Sequence, residues 1–75
     1  MDYNYGIINL AKRFIAIRRN LKISQKDLAD KSGVSYGSIK RFERTGEISL
    51  INLFKLCYAL NLNEELDRLF IKGAR

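Results

Sequence analysis

The turn Ser32-Gly33-Val34-Ser35 restricts the fold most, because it joins two short helical segments with almost no linker between them. Ser24 and Ser35 are each placed to cap the start of one helix, where a hydroxyl accepts a free backbone N–H of the first turn. Gly33 can adopt the left-handed conformation that ends a helix at little steric cost. A link of this length suits two short helices that cross steeply, not an antiparallel pair of long ones.

Such a crossing needs a small residue at the contact and apolar residues on the facing surfaces. Ala29 supplies the small residue, and Val34, just before the second helix, can pack against the apolar positions that follow. Leu28, Ile39 and Phe42 complete the apolar surfaces. The sequence therefore predicts a rigid two-helix unit.

Apolar periodicity predicts three further helices, one before this unit and two after it. The first has an apolar stripe at three- and four-residue spacing and ends near residue 19 or 20. Ser49 caps the fourth helix, which is predicted to be the most buried, and the fifth runs from about Asn63 to Phe70. The apolar positions of the fourth helix are Leu50, Leu53, Phe54, Cys57 and Leu60.

The 75 residues suffice for one domain with one modest core. We therefore expect an all-α fold, a compact five-helix domain that spans residues 1–75. Its N-terminal tail is expected to cover about residues 1–6, before the apolar stripe of the first helix begins.

Composition argues against several kinds of function. Histidine is absent, which removes Ser–His and Cys–His catalysis and the commonest zinc ligand, and the lone Cys57 lies in an apolar pattern typical of a buried side chain. Glu64, Glu65 and Asp67 fan out around a helix and are interpreted as solvated surface. We expect no enzymatic activity, no metal, no cofactor and no small-molecule ligand. No segment resembles a membrane span or a signal peptide, so a cytoplasmic location is expected.

The net charge of +6 is unevenly distributed along the chain. Residues 1–46 contain ten Lys or Arg and four Asp or Glu, whereas residues 47–75 contain four of each kind. A basic first part favours a polyanionic partner through counterion release. On the third helix, Lys40, Arg41 and Arg44 share an outer face on which the sequence places no acidic residue.

Counted from Gln25, the two-helix unit has alanine at position five, glycine at nine, a β-branched residue at ten and isoleucine at fifteen. This pattern resembles the helix-turn-helix of Cro and the phage repressors, often called the XRE family, and the likeness extends from about Ile7 to Phe70. The residues that carry it are Ser24-Gln25-Lys26-Asp27-Leu28-Ala29, Gly33-Val34-Ser35, Ile39, Phe42-Glu43 and Ile48-Ser49-Leu50. The resemblance implies a lambda-repressor-like domain whose second motif helix enters the DNA major groove while the first crosses the phosphate backbone.

With this docking mode, Tyr36, Lys40 and Arg41 are the candidate base readers. Arg41 is the strongest candidate, because arginine can donate two parallel hydrogen bonds to guanine O6 and N7. Lys40 could read a base in the same way or rest on a phosphate, and Tyr36 could pack on a thymine methyl group. Gly37 replaces the longer polar side chain that the family often has there. It either lets the backbone approach the DNA closely or gives up one specific contact.

Phosphate contacts are expected at the helix starts, where free N–H groups and the helix dipole favour an anion. Gln25 opens the second helix at a position where the resemblance implies a glutamine bound to the DNA backbone, and Ser35 opens the third. Arg44 and the amides near Thr45 and Gly46 are the candidates on the other side. Such contacts fix the register of the protein without reading sequence.

Glu43 is the one acidic residue in the basic third helix. The resemblance implies that it pairs with an arginine of the first helix, and Arg18 has the matching spacing. The alternative is that both side chains are separately solvated. The other positions assigned structural roles are Ala29, Gly33, Ile39 and Phe42.

The partners follow from the same resemblance. We expect double-stranded DNA with a palindromic operator and a homodimer, because one monomer reads about half a site. Leu66, Leu69 and Phe70 either form the dimer interface or complete the core. Residues 38–50, followed by the closing Leu69-Phe70, also resemble the antitoxins associated with HipA-type kinases (HipB-like proteins), which would add a toxin protein as a partner. The plain alternative is a small phage-type repressor. A hypothesis of another class is a protein-interaction module that binds an acidic partner.

Overall fold

The structure is a computed structural model that describes residues 2–73. Within this range five α-helices follow one another and no strand occurs. They are α1 (Tyr3–Asn20), α2 (Gln25–Ser32), α3 (Tyr36–Thr45), α4 (Leu50–Ala59) and α5 (Asn63–Asp67), followed by a 3₁₀ turn at Ile71–Gly73. The predicted all-α, five-helix architecture is confirmed.

Serine hydroxyls cap the N-termini of three of these helices, and glycines cap the C-termini of two. The Oγ atoms of Ser24, Ser35 and Ser49 each accept a hydrogen bond from the backbone N–H three residues later, at 3.0, 3.2 and 3.1 Å. Gly33 ends α2 with a φ of 77° and Gly46 ends α3 with a φ of 82°. The boundaries of the two-helix unit are therefore set by local hydrogen bonding, as the sequence predicted.

The prediction of an N-terminal tail over residues 1–6 is wrong, because α1 already begins at Tyr3. The physical reason is a cap that the apolar pattern does not reveal. The Asp2 carboxylate accepts a hydrogen bond from the Asn4 N–H at 3.0 Å and so satisfies one of the free donors of the first turn. The other end of α1 lies at Asn20, where it was predicted.

One core unites the first four helices. Phe14 of α1 and Phe42 of α3 meet edge to face, with ring centroids 5.4 Å apart. α1 packs on α3, α2 packs on both α3 and α4, and α5 packs on α4. The buried residues of the core are Ala11, Phe14, Leu28, Val34, Ile39, Phe42, Leu56 and Leu60. Because α3 is held from behind by this core, its outer face is presented on a rigid support.

The last two helices differ from the prediction in two details. α4 has the largest share of buried and half-buried residues among the five helices, as predicted. However, Leu50, which was predicted to belong to its apolar face, is 69% exposed, and its neighbour Ile51 is 71% exposed. α5 ends at Asp67 rather than at Phe70, and Phe70 itself has a φ of 65°, which no regular helix allows.

Cys57 is buried within α4, as its apolar surroundings predicted. Burial raises the pKa of its thiol, and the negative charge of Glu65 adds to this effect. A raised pKa lowers the fraction of reactive thiolate at neutral pH. The structure thus gives Cys57 the environment of a packing residue.

Candidate nucleic-acid interface

The two-helix unit is fixed by apolar side chains at its centre. Leu28 of α2 and Ile39 of α3 are completely buried, and Val34 in the turn between them is 2% exposed. Ala29 is half-buried and packs against the same core. Since buried side chains from both helices interlock here, α2 and α3 move as one body.

Arg18 and Glu43 form a buried ion pair that ties α1 to α3. Arg18 Nε donates to Glu43 Oε2 at 2.7 Å, and Arg18 Nη2 donates to Glu43 Oε1 at 2.9 Å. The two side chains are 8% and 6% exposed, and Arg18 Nη1 also donates to the Ile23 carbonyl at 2.8 Å. The alternative of two separately solvated side chains is therefore wrong.

Gln25, the candidate phosphate ligand, belongs to the same network. Its Nε2 atom donates to Glu43 Oε1 at 2.9 Å, so Glu43 accepts hydrogen bonds from both α1 and α2. A side-chain amide carries two N–H groups, and one remains after this contact. The ion pair thus holds the Gln25 side chain in place at the start of α2.

The outer face of α3 presents the residues that the sequence assigned to base reading. Tyr36, Gly37, Lys40 and Arg41 are all exposed. The Lys40 ammonium lies 4.7 Å from the centre of the Tyr36 ring, and the Lys26 ammonium of α2 lies 5.7 Å from it. The sequence interpretation did not single out Lys26 as a site residue, because only the crossing of α2 and α3 brings it to Tyr36.

Arg41 is not surrounded by cations alone. Its Nη2 and Nε atoms donate to Oε1 of Glu47 at 2.6 and 3.1 Å. The side chains of Arg41 and Glu47 are 65% and 58% exposed. The expectation of an outer face without an acid is therefore wrong. The loop after α3 brings Glu47 back to the helix, which a helical projection of α3 cannot show.

The structure changes the candidates for phosphate binding around the end of α3. The Gly46 N–H already donates to the Phe42 carbonyl at 2.7 Å, and the Glu47 N–H already donates to the Thr45 hydroxyl at 3.1 Å. Because these amides have partners inside the protein, the amides near Thr45 and Gly46 are weaker candidates for phosphate binding than the sequence indicated. The exposed side chain of Arg44 remains the candidate on this side.

The start of α3 keeps donors for an anion. The Ser35 hydroxyl is used as a cap for Ser38, and it also donates to the Ser38 hydroxyl at 2.9 Å. The amides of Tyr36 and Gly37 make no hydrogen bond to any residue in the described range 2–73. Ser35 therefore caps the helix, and the two amides after it are the donors that remain for an anion.

The C-terminal apolar residues only partly join the core. Leu66 is half-buried, whereas Leu69 is 55% exposed and Phe70 is 84% exposed. Leu66 and Leu69 line a groove of about 410 Å³ between α1 and the C-terminal segment. The three side chains thus leave apolar surface uncovered.

This arrangement defines a small DNA-binding regulator: a helix with a cationic outer face, fixed on a compact support. A family model described as helix-turn-helix (HTH_3) matches residues 15–66, which is more than half of the chain. The chain belongs to this helix-turn-helix family, of XRE type, and the family is DNA-binding rather than enzymatic. No match was found among curated proteins or among solved structures. No helix in residues 2–73 is long and apolar enough to span a membrane.

Proposed function

We propose that the protein is a sequence-specific repressor that inserts α3 into the major groove of double-stranded DNA. The observation that carries this proposal is the outer face of α3, where exposed Tyr36, Lys40 and Arg41 stand opposite the fully buried Ile39 and almost fully buried Phe42. An amphipathic helix of this kind fits the groove with one face while the core holds the other.

Base reading falls to three side chains in this proposal. Arg41 donates two hydrogen bonds to guanine O6 and N7, and Lys40 donates to a neighbouring acceptor or phosphate. Tyr36 packs on a thymine methyl group at the start of the helix. The contact of Lys40 with the Tyr36 ring supports this assignment, because it holds both side chains on the same side of α3 before DNA binds.

Phosphate binding falls to groups at the two ends of the reading surface. The second N–H of the Gln25 amide and the amides of Tyr36 and Gly37 bind phosphate on one side, and Arg44 does so on the other. A repressor that uses such contacts shows affinity that falls steeply with salt.

The test is a selection of bound duplexes from a random DNA pool, followed by titrations with single base-pair variants of the selected site. Arg41→Ala should weaken the selected duplex about 5- to 150-fold and remove the preference at one base pair. Gln25→Ala should weaken all duplexes alike. Lys12→Ala, which removes an exposed cation on α1, is the charge-matched control. Unchanged affinity and preference in Arg41→Ala would refute the placement of α3 in the groove.

We further propose a homodimer on a palindromic operator, joined through Leu66, Leu69 and Phe70. The support is the exposure of Leu69 and Phe70, which the core leaves uncovered. Sedimentation at several concentrations tests this, with Leu69→Glu and Phe70→Glu expected to give monomers that bind the operator more weakly. A wild-type protein that stays monomeric at all concentrations would contradict the dimer.

The antitoxin is the second candidate function. One observation favours it: Leu50, Ile51 and Tyr58 are 69%, 71% and 55% exposed and share with Phe54 a shallow apolar surface that none of the proposed base-reading side chains lines. A toxin could bind there while α3 holds DNA. Co-purification with a kinase-like protein encoded beside the gene, lost in Ile51→Asp but kept in Arg41→Ala, would support this function. If the protein forms no complex with such a protein, the antitoxin function is excluded.

A further inference from the structure

We propose that Glu47 is a positioning residue: it fixes the Arg41 side chain for base reading and so sets the sequence specificity of the protein. This inference rests on the proposed function, since it requires that Arg41 meets a base. It assigns a role to an acidic residue that lies outside the helix-turn-helix unit. Glu47 itself need not touch the DNA.

The first observation is the geometry of the ion pair. Oε1 of Glu47 accepts from both Nη2 and Nε of Arg41, at 2.6 and 3.1 Å. These two atoms form the side edge of the guanidinium group. A single carboxylate oxygen therefore holds the group at two points, which restricts rotation of the long arginine side chain although 65% of that side chain is exposed.

The second observation is the turn that brings the carboxylate to this place. The Thr45 hydroxyl donates to the Arg41 carbonyl at 2.8 Å and accepts from the Glu47 N–H at 3.1 Å. One side chain thus connects the backbone of Arg41 with the backbone of Glu47, across the left-handed residue Gly46. The position of the Glu47 backbone follows from this hydrogen-bonded turn, which keeps the two side chains within reach of each other.

The donors that remain on Arg41 are the ones that guanine needs. Nη1 makes no hydrogen bond to any residue in the described range 2–73, and Nη2 keeps one of its two N–H groups. Together they form the end of the guanidinium fork, which matches guanine O6 and N7. Less conformational entropy is lost on binding when the fork is already oriented.

The charge of Glu47 adds a second effect. A carboxylate beside Arg41 repels the phosphate oxygens that would otherwise compete with guanine for the same cation. Non-specific affinity comes mainly from such phosphate contacts. Glu47 should therefore lower binding to unrelated DNA while it supports binding to the operator.

The Arg41→Ala variant first identifies the base pair that Arg41 reads, as the one whose preference it loses. The experiment then measures a discrimination ratio, which is the affinity for the selected duplex divided by the affinity for a duplex changed at that base pair. Four proteins form the cycle: wild type, Arg41→Ala, Glu47→Ala and the double variant. Glu47→Ala should lower the ratio roughly 2- to 5-fold, within the range that an exposed ion pair supports, and should raise affinity for unrelated DNA. In the Arg41→Ala background it should leave the ratio unchanged.

Two further variants separate position from charge. Glu47→Gln removes the charge but keeps an oxygen that can accept from Arg41, so it should raise affinity for unrelated DNA while it retains part of the discrimination. Glu64→Ala removes an exposed acid of α5 and should not alter the ratio. Thermal unfolding of each variant checks that it is folded.

The outcomes distinguish this inference from the proposed function. A ratio that Glu47→Ala leaves unchanged, or lowers equally with and without Arg41, would overturn the role of Glu47 while Arg41→Ala still shows that α3 reads the DNA. If Glu64→Ala changes the discrimination ratio as much as Glu47→Ala does, the effect comes from net charge alone. That result would also overturn the role of Glu47. If Arg41→Ala itself keeps the full base preference, both the inference and the proposed function fail.

Discussion

Removal of Glu43 should destabilise the protein more than any loss of exposed charge, because it leaves the Arg18 guanidinium buried without its counterion. The Arg18 side chain is 8% exposed and would retain one hydrogen bond within the described residues, to the Ile23 carbonyl. Breaking a buried pair from one side costs about 3–5 kcal/mol. A chain of 75 residues has a total free energy of unfolding of about 4–11 kcal/mol. Glu43→Ala should thus lose a large share of its stability and melt roughly 12 °C or more below wild type.

The design that isolates the pair is a double-mutant cycle followed by urea unfolding and far-UV circular dichroism. Arg18→Met with Glu43→Leu replaces both charges by apolar groups of similar volume, and this double variant should regain most of the stability that Glu43→Leu alone loses. Glu64→Ala, on the exposed face of α5, is the control and should change stability by less than about 0.5 kcal/mol. A cost below about 1 kcal/mol for Glu43→Ala, or strictly additive single variants, would refute the reasoning.

Three further outcomes follow from single residues. Gly37→Ala should stabilise the protein by up to about 1 kcal/mol, since a Cβ there meets no atom within 4 Å, and weaker binding to the operator despite this gain would indicate close backbone approach to DNA. Gly46→Ala should cost about 2 kcal/mol or more in thermal unfolding, because its φ is 82° and a Cβ would lie 3.0 Å from the Ile7 backbone; a neutral effect would contradict the packing of α1 on this turn. Cys57 should react with a thiol reagent at pH 8 far more slowly in the native protein than in denaturant, because burial raises its pKa; equal rates would contradict its placement.

The two-helix unit was predictable because its signals are local. A serine caps each helix through an N–H only three residues away, and Gly33 ends α2 by its own backbone conformation. Neither signal depends on the rest of the fold. The start of α1 was missed because an Asp2 cap carries no apolar periodicity.

The helices after the unit were less predictable, because burial depends on which surfaces meet. Leu50 and Leu56 belong to the same helix and have the same side chain, yet Leu50 is 69% exposed and Leu56 is completely buried. Their apolar side chains predict a core position for both residues. Only the packing of α2 and α5 on α4 separates them.

The site was predictable as a set of side chains on α3 but not as a network. Helical periodicity placed Gly37, Lys40, Arg41 and Arg44 on the outer face and Tyr36 toward one flank, since that information lies within a single helix. It could not show that Glu47 contacts Arg41, because the contact forms only when the loop after α3 turns back. Hydrogen bonds between a helix and a loop depend on the tertiary fold, which a helical projection does not show.

Glu43 and Glu47 illustrate two ways in which an acidic residue can support a DNA-binding helix. Glu43 is buried and accepts hydrogen bonds from Arg18 and Gln25, so the group that fixes α1 to α3 also orients a proposed phosphate ligand. Glu47 is exposed and holds Arg41, the proposed base reader. In its proposed role, the exposed Glu47 lowers affinity for unrelated DNA through its negative charge, and each carboxylate directs a donor toward one position. A single reading helix would then gain selectivity, because its few contacts must each be well placed.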